Sequence, residues 1–74
     1  MGRLAGFRYR DVAARLRAFG FAPTGKQRGS HEGWVNRDAR RTVVVPRHSG
    51  DLPEGTLRSI LRQAGIGVDD FLAD

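Results

Sequence analysis

The chain has 74 residues and a mass of 8.2 kDa, enough for one small domain, 1–74, with no room for a separate cofactor domain. Twelve Arg and one Lys oppose six Asp and two Glu, a formal net charge of +5. No apolar run exceeds three residues, which argues against a membrane-spanning helix or a signal-peptide core, and without cysteine there is no disulfide framework and no thiolate metal site. Together these features suit a reducing cytosol.

The cations are unevenly placed. Residues 1–50 carry eleven basic and three acidic side chains, whereas residues 51–74 carry two and five. This asymmetry reads as a polyanion binder with one committed face. Arginine, with its planar fork, suits phosphate; a biased codon supply also raises Arg over Lys, but leaves the asymmetry unexplained.

Residues 1–8 show no period and read as a loose N-terminal arm. From Tyr9 a helical stripe begins, with Val12, Ala13, Leu16 and Phe19 as expected core. Gly20 supplies its left-handed stop, with Phe21 folding back on Leu16. Its start is weakly signalled, because Arg8 is not a capping residue. Residues 22–46 lose the helical period. Strands are expected at Thr24–Arg28, His31–Arg37 and Arg41–Val45, with turns at Gly29-Ser30 and Asp38-Ala39-Arg40 and a stop at Pro46. A second helix follows, with Pro53 at its first position and Glu54 favourable to the dipole. Leu57, Ile60, Leu61 and Ala64 form its stripe, and Gly65 with Ile66 repeats the stop of the first helix. Val68–Leu72 reads as one last short turn. The order α-β-β-β-α predicts an α+β domain of double-stranded-RNA-binding type, a three-stranded antiparallel sheet with two helices on one face. The other face is left for solvent or a partner.

Most enzyme classes lack their residues here. The carboxylates Glu32, Asp38 and Asp51 are isolated, so the convergent set that two-metal chemistry needs is not visible, and no metal ligands or cofactor site are expected. No glycine-rich loop opens a helix after a strand. Ser30 and His31 are neighbours on a strand and point to opposite faces, which disfavours a triad. Metal-free acid–base work by histidine remains. In Lys26-Gln27-Arg28-Gly29-Ser30-His31 an imidazole follows a tight turn with two cations close by. Such a group can take the proton of a ribose 2′-hydroxyl, whose oxygen then attacks the adjacent phosphorus. Lys26, Arg28 and Ser30 are placed to hold the phosphate.

The second strand has two possible parities. His31, Gly33 and Val35 share one face; Glu32, Trp34 and Asn36 share the other. Trp34 is either a core anchor, which leaves His31 on the open face, or an RNA-stacking platform. His48 is either a second proton-transfer group or a plain loop residue. Arg58 and Arg62, four apart on the second helix, grip phosphate, meet an acidic partner, or simply face solvent. Arg10, Arg15 and Arg17 on the first helix carry the same ambiguity.

The strings GSHEGWVN, VPRHSGDLP and GTLRSILRQAGI together resemble the HicA toxin family of bacterial toxin–antitoxin systems, across about Val12 to Leu72. The GSH triplet alone is weak; GTLRSILRQAGI after a VP-x-H strand end is specific. The resemblance implies the fold above, metal-independent cleavage of mRNA that inhibits translation, and neutralisation by a HicB-like antitoxin. It places the catalytic histidine on His31 and the family's turn on Gly29, Ser30 and His31. The chain differs from the family pattern at Gly33, where a bulky aliphatic is common. It differs also at Arg37-Asp38-Ala39-Arg40, which lacks a Pro and a Gly, and at the first helix, which lacks a Ser or Thr start.

The expected partners are therefore single-stranded RNA and an antitoxin protein. A rival class is a non-catalytic RNA-binding module of the same fold, gripping duplex RNA through its backbone. Those modules usually begin their last helix with lysines, whereas this one begins Pro53-Glu54-Gly55-Thr56. A third class is an interaction adaptor that pairs a strand at the sheet edge.

Overall fold

A computed structural model describes residues 2–73. Its first helix, α1 (Tyr9–Ala18), begins without a capping side chain at Arg8, which has no acceptor to offer. Asp11 does the work instead. Its carboxylate, three residues into the helix, accepts the Arg8 backbone N–H at 2.9 Å, the reciprocal half of a capping box. The helix closes as expected: Gly20 takes φ +93°, and the Phe21 and Gly20 N–H groups donate to Leu16 and Arg17 carbonyls at 2.9 and 3.0 Å.

Three antiparallel strands follow in the spatial order β1-β2-β3: β1 (Ala22–Arg28), β2 (His31–Asn36) and β3 (Arg41–Pro46). Strand β1 starts two residues earlier than expected, because Pro23 is tolerated on an edge strand. Strand β2 stops one residue earlier. There the Asn36 side chain accepts the Ala39 N–H and donates to the Phe19 carbonyl, each at 3.1 Å, which starts the turn before Arg37. Pro46 is the last residue of β3. The helix α2 (Glu54–Ala64) has Pro53 at its N-cap, one position outside the helix, and ends at Gly65 with φ +71°, the Ile66 N–H reaching the Leu61 carbonyl at 3.0 Å. A short α3 (Val68–Leu72) buries Phe71.

The helices lie on one face of the sheet. Trp34, Val43 and Val45 on that face join Leu16, Leu57 and Leu61 in one buried cluster. The other face carries no helix, and Val44 stays half exposed on it, at 50 %. The α+β arrangement expected from the sequence is therefore present. Among the described residues no helix is long and apolar enough to cross a membrane.

Two expectations are corrected. The segment read as a loose arm over 1–8 is anchored to the core through Leu4 and Phe7, Met1 lying outside the described residues. Leu4 is fully buried, and the Phe7 ring stands 5.1 Å from that of Phe71. The Phe7 carbonyl accepts the Leu52 N–H at 2.7 Å, Arg8 bridges to Asp51, and Arg3 pairs with Asp69. Two apolar side chains show no period, yet two are enough to tie the segment to the core, Leu4 within the cluster and Phe7 against α3. Phe19, read as core, is 38 % exposed. It follows the last helical residue, where the chain leaves the helical phase, and Phe21 enters the core in its place.

Candidate functional site

The site grows from the β1–β2 hairpin. Gly29, at φ +57°, and Ser30 form its two-residue turn, so Arg28 and His31 are directly paired across the ladder. Trp34 is 1 % exposed, which settles the parity of β2: Trp34 and Glu32 face the helices, and His31 faces away from them. Directly opposed residues share a face, so the exposed Arg28 side chain stands on the same open surface as the His31 imidazole. Ser30 is held at the turn, its carbonyl accepting the Arg47 N–H at 2.6 Å.

Gly33 has a specific use here. Between Pro23 and Gln27 strand β1 bulges, so that Thr24, Gly25 and Lys26 together oppose Gly33. The Thr24 hydroxyl donates to the Gly33 carbonyl at 3.3 Å and accepts the Lys26 N–H at 3.1 Å, and a Cβ on Gly33 would stand 3.0 Å from that oxygen. Lys26 therefore sits in the bulge rather than in a regular pair beside His31. Gly33→Ala is expected to turn Thr24 aside and free the Lys26 amide, seen as faster hydrogen exchange at Lys26. Global stability should move by no more than about 1 kcal/mol, because the alanine recovers strand preference while two weak bonds are lost. Unchanged protection at Lys26 would disprove this account of the bulge.

His31 lines a cleft of about 390 Å³ between the β3 edge and α2, together with Val44, Pro46, Thr56, Ser59 and Gln63. A larger hollow of about 470 Å³ lies elsewhere, between Phe7, α1 and Ala73, and contains no imidazole. His48, Arg58 and Arg62 are all exposed, but none lines the His31 cleft. Among the described residues no three His, Asp or Glu side chains converge where they would hold a metal ion.

Behind the open face, Glu32 locks β2 to α1. Its Oε1 accepts the indole N–H of Trp34 at 2.9 Å and the Tyr9 hydroxyl. Arg17 stacks over Trp34 at 5.2 Å and Arg47 over Tyr9 at 4.9 Å. Burial first, and then the bond to Glu32, raise the Tyr9 hydroxyl above its ordinary value of 10.0. A raised value keeps the neutral, donating phenol throughout the neutral range, and the contact is lost only as pH climbs beyond that point. The residue next to His31 is thus anchored throughout the neutral range.

Sequence reasoning missed Tyr9, Glu32, Arg47 and the Ser59–Gln63 pair. Glu32 two positions before Trp34 on one strand face, and Ser59 four before Gln63 on one helix face, were the local signals available.

A three-stranded antiparallel sheet covered by helices on one side only, with an exposed imidazole on the other, defines a small α+β domain of double-stranded-RNA-binding type. The family described as HicA toxin of bacterial toxin–antitoxin matches residues 9–66, from the start of α1 past the end of α2, and the chain belongs to that family. It is accordingly the toxin of a toxin–antitoxin pair. No curated protein matches the chain significantly.

Proposed function

We propose that this toxin is a metal-independent endoribonuclease that cleaves single-stranded RNA, mRNA in the cell, with His31 as general base, and that a HicB-like antitoxin neutralises it. The observation that carries the reading is the position of His31, exposed on the bare sheet face at a cleft and paired with Arg28. The neutral imidazole takes the proton of a ribose 2′-hydroxyl. The 2′-oxygen attacks the adjacent phosphorus, and the bond from phosphorus to the 5′-oxygen breaks. That oxygen leaves with a proton supplied by an acid, either water or His48. Arg28, with Lys26 from the bulge and the Ser30 turn, offsets the charge that grows on the phosphoryl oxygens.

The family membership supports this reading over a plain RNA-binding module, and so does the first turn of α2, which carries Glu54 where such modules present lysines. Incubating the purified protein with single-stranded RNA in excess chelator tests it. The expected products end in a 2′,3′-cyclic phosphate and a 5′-hydroxyl, at a rate the chelator does not change. Salt-dependent binding without products would establish the non-catalytic module instead.

A further inference from the structure

The wall of the cleft opposite His31 is neutral. Thr56, Ser59 and Gln63 supply its polar groups, while Arg58 and Arg62 on the same helix do not line it. Strand β3 is an edge of the sheet, so the Val44 N–H points outward, and Gln63 Oε1 accepts it at 3.4 Å. Gln63 Nε2 donates to Ser59 Oγ at 3.4 Å. This contact orients the amide: reversing it would set Nε2 against another donor. One N–H of Gln63 and the hydroxyl proton of Ser59 are left for an acceptor. Half-exposed Val44 and the partly buried Pro46 give the cleft an apolar floor on which a flat ring can lie.

A cleft with neutral donors, an apolar floor and no cation of its own fits the uncharged part of a nucleotide. The charged part belongs across the strand surface, by Arg28. We propose that Ser59 and Gln63 form a base-reading subsite for the nucleobase next to the scissile phosphate, donating to a base carbonyl oxygen. Uracil, cytosine and guanine carry such an oxygen and adenine does not. The place of this subsite beside a scissile bond rests on the ribonuclease reading; its ability to discriminate bases does not.

The test is an NMR titration of the full chain with 3′-UMP and, separately, with 3′-AMP. The expected result is tighter binding of 3′-UMP by about fivefold, the order of one neutral hydrogen bond. Shifts should fall on the Gln63 side-chain amide and the Val44 N–H. In Gln63→Glu the carboxylate still accepts the Val44 N–H, so the edge stays covered, but the donor is gone. The added charge repels both nucleotides alike, and the ratio of their affinities should fall to near one. Ser59→Ala should reduce the same ratio. Equal affinities in the native protein, a preference that survives Gln63→Glu, shifts confined to Arg28 and Lys26, or no binding of either nucleotide would each overturn the subsite. In a parallel RNA digestion Gln63→Glu should redistribute cut positions. If the native chain cuts no RNA at all the ribonuclease reading fails, while the mononucleotide titration still decides whether the subsite exists.

Discussion

Replacing His31 by alanine is expected to lower RNA cleavage by about 10²- to 10⁴-fold, the usual worth of a positioned proton-transfer group. Folding should be untouched. The side chain is exposed and makes no hydrogen bond among the described residues, so unfolding by urea should move by no more than about 0.5 kcal/mol. Affinity for RNA should be nearly native, because the charge that attracts phosphate resides on arginines the substitution leaves alone. Arg28→Ala should do the reverse: weaker, less salt-sensitive binding, with the rate at saturating RNA falling less than in the histidine variant. Nuclease assays and filter binding on the same preparations separate the two effects. A His31→Ala protein that cleaves at the native rate would remove the base from the mechanism.

The parts of this site that were legible in the sequence are those set by local rules. A two-residue Gly29-Ser30 turn forces Arg28 opposite His31, and period-two alternation then ties the direction of His31 to the fate of Trp34. Both major helix ends were legible for the same reason, since Gly20 and Gly65 take a left-handed conformation that suits glycine. What was not legible depends on pairings between distant segments. Leu4 is buried in a core built from elements distant in the chain, and nothing within residues 1–8 announces it. Tyr9 and Glu32 are 23 positions apart, and Gln63 meets the β3 edge across 19. Gly33 looked like a weak point in a strand. It is instead the space into which the β1 bulge folds, a fact that resides in Thr24 rather than in Gly33 itself.

The largest effect on the fold is expected at Trp34. Trp34→Ala removes the bulkiest fully buried side chain and leaves a cavity beneath α1, at a cost of about 3–5 kcal/mol. A chain of this length has a total stability on the order of 4–11 kcal/mol, so the variant should be largely unfolded at modest urea or temperature. Trp34→Phe keeps most of the volume and a ring for Arg17 to cover, but loses the indole N–H. Glu32 then keeps only its contact with Tyr9, and the expected loss is about 1–2 kcal/mol with cleavage retained. Circular dichroism in a urea series, read beside the nuclease assay, distinguishes these cases from His31→Ala. Trp34→Ala should lose activity together with its fold, and His31→Ala should lose activity while staying folded. A Trp34→Ala protein that remains folded and active would mean that burial of the indole does not decide which face His31 occupies.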